Sequence, residues 1–225
     1  MKKILIVLIA MTLITGLAAM VYATGDGAGI VTSPHDFSSA LWNATGEICV
    51  TCHTPHAAIT GEQLLWNHAM STATYTMYSS ATLTAKNMTV DAQPTGINKL
   101  CLACHDGTVA LDSFGGATGI TMISPTYPAQ MNIGTNLSKT HPIGVVYDDD
   151  PIDGSGDMNL RPAATTAMGL SGFISDVLEV GKITCHSCHD VHNQESAPNT
   201  ELLRVANTVA AGGTASGLCL TCHIK

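Results

Sequence analysis

Aromatic and charged residues are scarce in this sequence of 225 residues. Phe, Trp and Tyr make up 4% of the chain, and Asp, Glu, Lys and Arg make up 12%, against roughly 25% charged residues in an ordinary soluble domain. Because aromatic side chains normally supply much of the buried apolar surface, another apolar component is expected in the core. The formal net charge of −8 argues against nucleic acid as a partner, since nucleic-acid binding requires a basic face.

Long apolar runs are also missing, except for one at the N-terminus. Lys2 and Lys3 precede an apolar run that ends at Ile14, and the residues up to Ala23 fit a small-residue cleavage site. This order predicts a secretory signal peptide over residues 1–23. An uncleaved membrane anchor is the alternative, but the run is too short to span a bilayer comfortably. We therefore expect a secreted protein with no membrane span after cleavage, extracellular or at the outer surface, with the periplasm as the alternative location.

Cysteine and histidine, in contrast, are abundant, with eight and ten residues. Every cysteine belongs to a Cys-x-x-Cys pair that is followed directly by His. Motifs 1 to 4 are Cys49-Val-Thr-Cys52-His53, Cys101-Leu-Ala-Cys104-His105, Cys185-His-Ser-Cys188-His189 and Cys219-Leu-Thr-Cys222-His223. This motif is typical of c-type haem attachment, in which two thiols form thioethers with the porphyrin and the imidazole is the proximal iron ligand. The sequence predicts four covalently attached haems.

Three other uses of paired cysteines are weaker. A disulfide framework is common in exported chains, but it gives no reason for a His after every pair. Two zinc sites of four cysteines each would leave the four adjoining histidines without a role. A thioredoxin-like redox pair requires one motif in a βαβ setting rather than four in a loop-rich chain.

Six further histidines compete for the distal face of the four irons. His186 lies inside motif 3 and is not expected to bind iron. The distal candidates are His35, His56, His68, His141 and His192. Five candidates for four irons predict bis-histidine haems of low potential, because methionine ligation is not needed. No axial position is then left open for catalysis, so we do not expect an enzyme.

Two of these candidates also predict close haem contact. His56 and His192 each lie three residues after a proximal histidine, and three residue steps reach at most about 10 Å. This distance is too short to pass around a porphyrin to its other face. Each must therefore serve a different haem from the one just upstream, which stacks haems near one another.

The motifs form two haem doublets, residues 49–105 and 185–223, separated by a haem-free linker region over 106–184. A Leu-Leu step lies within each doublet, at Leu64 and at Leu202. Within a single tetrahaem domain over residues 24–225, short helices are predicted over 62–70, 97–105, 173–180, 200–206 and 215–223, with an edge strand near 118–123. The predicted fold is mostly coil with short helices wrapped around four stacked haems and little β structure. The acidic stretch from Asp148 to Asp157 is predicted to be a solvated loop, with Ca²⁺ binding as the lesser alternative.

Several runs carry a resemblance to a known family. They are Leu65-Trp-Asn-His68, the run that begins at Thr74, Lys99-Leu-Cys-Leu-Ala-Cys-His-Asp-Gly-Thr-Val-Ala-Leu-Asp112 and Cys188-His-Asp-Val-His-Asn193. These resemble the doubled-motif multihaem cytochromes, specifically the tetrahaem outer-surface cytochromes of metal-reducing bacteria that polymerise into extracellular filaments. The resemblance extends from Ser33 to the C-terminus, although the family usually has Pro where Val191 stands.

The resemblance implies bis-histidine haems in a continuous stack and one distal histidine supplied by the neighbouring subunit. His35 is the candidate inter-subunit ligand, because it precedes every motif near the mature N-terminus. We therefore expect an electron carrier that forms a head-to-tail homopolymer and exchanges electrons with other cytochromes and extracellular acceptors. A soluble periplasmic shuttle is one alternative. A multihaem reductase with one open axial site is another.

Overall fold

The computed structural model describes residues 29–80, 83, 88–124, 131–149, 160–198 and 200–224. Its helices are α1 (Gly96–His105), α2 (Cys185–Cys188) and α3 (Gly217–Cys222), with one 3₁₀ turn at Ile174–Val177. Strands β1 (Val145–Val146) and β2 (Lys182–Ile183) pair antiparallel, with Val145 opposite Ile183. Turns, irregular chain and isolated β-bridges make up the rest of the described residues. The coil-rich architecture expected from the sequence is therefore present, whereas the predicted signal peptide lies outside the described residues.

Three of the five predicted helices have counterparts. The helices predicted over 97–105 and 215–223 are confirmed as α1 and the shorter α3. The helix predicted over 173–180 is reduced to the 3₁₀ turn, because Leu178 already has extended backbone, with ψ of 132°. Helix α1 begins after Thr95, where the Glu179 carboxylate accepts the N–H of Ile97 at 3.1 Å. A carboxylate at a helix N-terminus satisfies a free N–H and complements the helix dipole.

The helices predicted over 62–70 and 200–206 are wrong. Leu64 and Leu65 have φ of 63° and 54°, and Leu202 has φ of 62°. Left-handed backbone at residues with a Cβ interrupts a right-handed helix and costs conformational energy. The edge strand predicted near 118–123 is also wrong. There the Asp112 carboxylate accepts the N–H groups of Ile120 and Thr121 and forms a compact turn instead.

These left-handed leucines belong to a repeated unit that differs from the one expected. In the first doublet the N–H of Thr54 donates to Leu65 O at 3.0 Å. In the second doublet the N–H of Asp190 donates to Leu202 O at 2.8 Å. Leu65 therefore corresponds to Leu202, so aligning the two Leu-Leu steps is wrong by one residue. Each unit folds the chain back so that a β-bridge forms at the proximal histidine, His53 with Trp66 and His189 with Leu203.

The described core consists of small apolar clusters on either side of α1. Leu100 and Ala103 pack with Trp66, while Leu102 packs with Tyr75 and Leu137. Positions 100 and 103 lie one helical turn apart and share a face, and position 102 points to a different side. Motif 2 is therefore held between two apolar clusters. No helix among the described residues has the length and apolar character needed to cross a membrane.

Candidate functional site

The four motifs share one local geometry. In motifs 1, 3 and 4 the N–H of the histidine donates to the carbonyl of the first cysteine, at 2.8, 3.1 and 2.9 Å. Motif 2 makes the same turn inside α1. Residues three apart on a helical turn share a face, so both cysteines of a motif lie on the same side of the turn. After this turn the backbone of His189 and His223 is extended, which directs the chain away from the two thiols.

The cysteines, all of which lie in described parts of the chain, are free thiols. The disulfide framework considered above is therefore not formed. Within the described ranges, no group of three or more His, Cys, Asp or Glu side chains converges to hold a metal ion. The four-thiol clusters that the zinc alternative requires are not assembled there.

Three proximal histidines have a second imidazole close by. The ring centroids are 6.2 Å apart for His53 and His192, 6.1 Å for His105 and His35, and 6.3 Å for His223 and His141. An imidazole nitrogen binds a transition metal at about 2.0–2.1 Å and lies about 1.1 Å from its ring centre, so two imidazoles on opposite sides of one iron have centroids about 6.3 Å apart. The three observed separations fit this geometry.

Backbone carbonyls determine which nitrogen of several rings carries the proton. Nδ1 lies 2.7 Å from Leu64 O in His53, 2.7 Å from Met131 O in His105 and 2.9 Å from Pro142 O in His141. A carbonyl oxygen can only accept, so Nδ1 is the donor and Nε2 keeps its lone pair. A metal-binding histidine is typically oriented in this way by a carbonyl behind it. These imidazoles are thus prepared to bind a metal through Nε2.

Desolvation of the ring lowers the pKa of several of these histidines, although His141 and His189 keep exposed surface. Burial, and then the neighbouring His105, lower the pKa of His35 to about 4. Burial also lowers the pKa of His141 and His189. Because a neutral imidazole is the form that ligates metals, these residues need not lose a proton before binding at neutral pH.

His35 is expected to be a ligand for a neighbouring subunit. In the structure its half-buried ring lies beside His105 of the same chain. His189, His56, His68 and His186 make no ring contact within the described residues. Of these, His68 is fully buried, with Nε2 at 3.5 Å from Cys104 Sγ, whereas His56 is exposed. His186, expected to be a bystander, has Nδ1 at 3.0 Å from the Thr184 hydroxyl.

The cysteines of successive motifs lie near one another. Burial, and then the nearby Cys101 and Cys49, raise the pKa of Cys52 to about 11. Because Cys101 acts on Cys52, motif 2 lies next to motif 1. A hydrogen-bonded contact with Cys101, and then burial, raise the pKa of Cys185. This contact joins motif 2 to motif 3. Burial, and then the nearby Cys219, raise the pKa of Cys188. The closeness of these two cysteines joins motif 3 to motif 4. Cofactors attached at these thiols would follow one another from motif 1 to motif 4.

Some buried polar atoms beside the motifs lack hydrogen-bond partners among the described residues. They include Thr51 Oγ1, Trp66 Nε1 and Asn98 Nδ2. An unsatisfied buried donor costs roughly 1–3 kcal/mol, so a polar group outside the chain is expected beside each. The carboxylates of a porphyrin are acceptors that suit these atoms. The thiol pairs, imidazole pairs and unsatisfied donors together fit the four haems that the motifs predict.

Sequence reasoning missed a set of residues that hold three of the motifs. Asn67, Arg204 and Arg161 donate their backbone N–H to the carbonyl of the second cysteine in motifs 1, 3 and 4, at 2.9, 2.9 and 2.8 Å. Each follows the residue that bridges to the proximal histidine, Trp66, Leu203 or Leu160. In the sequence, these contacts are marked only by an apolar residue followed by a polar one. Such pairs are too common in proteins to identify the contacts.

Most of the acidic stretch considered for Ca²⁺ lies outside the described residues. Of its described members, Asp149 accepts the N–H of Ala163 through Oδ2, a contact within the chain. No model of a known protein family matches this chain, and no curated protein matches it either. The geometry of the motifs and of the imidazole pairs is therefore the basis on which a function can be assigned.

Proposed function

We propose that this protein is a tetrahaem c-type cytochrome that carries electrons, acting as the subunit of an extracellular conducting filament. The observation that carries this proposal is the pairing of three proximal histidines with a second imidazole at the separation expected across one iron. Haem held in this way supplies an Fe(III)/Fe(II) couple of low potential. The protein itself makes and breaks no substrate bond.

The chain has three tasks in this function. The cysteines of each motif hold the porphyrin edge, while the Leu64 and Met131 carbonyls fix the orientation of His53 and His105. The contacts from Cys52 to Cys101 and from Cys101 to Cys185 support a continuous path through the motifs. Because two imidazoles close an iron to other ligands, the paired sites favour electron transfer over catalysis.

One site supports the filament and also defines the second candidate function. His189 has no imidazole in ring contact among the described residues, whereas His56 is exposed. If His56 of one subunit completes the His189 site of the next, the contact is heterologous and extends into a filament. His56 then replaces His35 as the proposed inter-subunit ligand. If nothing completes the His189 site, the protein is instead a reductase with one open axial position.

The test is to express the chain with a cytochrome c maturation system and to measure its intact mass and optical spectrum. We expect an intact mass equal to the polypeptide plus four haems, all of which stay attached after denaturation. We also expect a low-spin spectrum. Replacing both cysteines of motif 4 with alanine should remove one haem and leave three. A matured protein without covalent haem would overturn the proposal. A persistent high-spin haem that binds CO in the assembled filament would favour the reductase.

A further inference from the structure

Three motifs are held by one recurrent pair of contacts, but the residue that makes them changes in charge. Besides the backbone contact to the second cysteine, each residue donates from its side chain to the carbonyl after the first cysteine. Asn67 Nδ2 donates to Val50 O at 2.5 Å, Arg204 Nε to His186 O at 2.8 Å and Arg161 Nε to Leu220 O at 2.8 Å. We call these three the clamp residues. The clamp is neutral at motif 1 and cationic at motifs 3 and 4.

The clamp at motif 3 is a buried charge. Arg204 is only 7% exposed, and its Nη1 lies 2.7 Å from Ser171 Oγ and 2.6 Å from Glu195 Oε2. The Glu195 side chain is 48% exposed, so water screens its negative charge more strongly than it screens the guanidinium. Within this ion pair, the guanidinium is therefore the less screened charge.

The Arg204 guanidinium lies against motif 3 itself. Its Nε donates to His186 O at 2.8 Å, and the backbone N–H of Arg204 donates to Cys188 O at 2.9 Å. Asn67 occupies the corresponding place beside motif 1, and it is also buried. The two sites thus share backbone geometry, β-bridge and clamp contacts. They differ in two buried charges, because motif 3 has the Arg204 cation in place of Asn67 and the Asp190 carboxylate in place of Thr54.

We propose that the clamp residue tunes the reduction potential of its own site: Arg204 and Arg161 raise the potentials at motifs 3 and 4 above the values that these sites would have with a neutral clamp residue such as Asn67. This inference rests on the proposed cytochrome function. Reduction adds one electron to a site, and a nearby cation in a region of low dielectric stabilises the added negative charge. Arg204 is a tuning residue and binds neither iron nor porphyrin edge.

The experiment is a spectroelectrochemical titration of the matured full-length protein and of its Arg204→Asn variant. This variant places the motif 1 residue at motif 3. We expect one of the four potentials to shift to a lower value, with four haems and a low-spin spectrum retained. Arg204→Lys should shift it less, because the charge is kept. Lys139→Asn removes one positive charge from an exposed position and should shift the potentials less than Arg204→Asn does, because water screens an exposed charge.

A second variant keeps the proposal testable if Arg204→Asn misfolds. Glu195→Gln removes the counter-charge, so the same potential should rise. Unchanged potentials in either folded variant, or a rise in Arg204→Asn, would overturn the proposal, as would an equal shift in Lys139→Asn. The haem count of the wild-type protein shows whether the tuning proposal alone has failed or the cytochrome function has failed with it. If the wild-type protein holds no covalent haem, the cytochrome assignment has failed.

Discussion

His53 and His192 lie with ring centroids 6.2 Å apart and ring planes 24° from parallel, although His53 ends motif 1 and His192 follows motif 3. This contact ties the first doublet to the second through two imidazoles. His192 is thereby directed away from the motif that immediately precedes it. A porphyrin at motif 3 would have its distal face beyond the reach of His192, since three residue steps span at most about 10 Å.

Replacing His192 with alanine should open the distal face of one haem. We expect the His192→Ala variant to retain four thioether-bound haems, to develop a high-spin signal in electron paramagnetic resonance, and to bind about one CO per chain. His186→Ala is the matched control, because His186 makes no ring contact within the described residues. A His192→Ala protein that remains wholly low-spin would contradict this pairing.

Asn98 makes a second connection between the doublets. Its side chain is fully buried on α1, and its Oδ1 accepts the N–H of Cys185 at 2.9 Å. The Asn98→Ala variant leaves this buried N–H without a partner, which should cost about 1–3 kcal/mol of stability. The urea midpoint of the matured protein measures this loss. Gln194→Ala, at an exposed position, should change stability by at most about 0.5 kcal/mol, and equal effects in the two variants would refute the role of Asn98.

Tyr75 predicts a change in stability at alkaline pH. Its hydroxyl donates to the buried Asp106 carboxylate, and burial, followed by this hydrogen bond, raises its pKa to about 12. The unfolded pKa is about 10. The folded state therefore holds this proton more tightly, and the stabilisation it gives is present below pH 10 and lost as pH rises toward 12. Tyr75→Phe should be less stable at pH 7 by about 1 kcal/mol and should lose less stability between pH 10 and 12. Parallel curves for the two proteins would contradict this account.

The filament can be tested by comparing two histidines. His56→Ala should give haem-loaded subunits that do not polymerise, because the exposed imidazole no longer reaches the neighbouring His189 site. His35→Ala should instead open the distal face of the motif 2 haem within each subunit. Electron micrographs and the spin state of each variant distinguish the two effects. Normal filaments from His56→Ala would contradict the role of His56. Loss of filaments in His35→Ala would instead make His35 the inter-subunit ligand.

Local signals predicted the parts of the fold that depend on neighbouring residues. The helix at α1 follows from its apolar spacing, and the coil-rich architecture follows from glycine, proline and small polar residues distributed along the chain. The helix predicted at residues 62–70 failed because long-range contacts prevailed over local preference. Leu65 adopts left-handed backbone so that its carbonyl can accept the N–H of Thr54, and no local pattern encodes that bond.

The candidate site shows the same division. The motifs predict the attachment cysteines and proximal histidines directly, since all of their information lies within five residues, and the structure gives these five residues a common turn. The contact of His35 with His105 depends on how the N-terminal segment crosses the chain, which spacing does not determine. The clamp residues were missed for the same reason. Arg161 and Leu220 are distant in sequence and are brought together only by the fold.

The most direct measurement is an experimental structure of the matured protein with its haems bound. Our account predicts one porphyrin between His53 and His192, one between His105 and His35, and one between His223 and His141, each with iron bound by both imidazoles. Irons at these motifs ligated by methionine, or by histidines in a different pairing, would contradict the account. So would four motifs that hold no porphyrin.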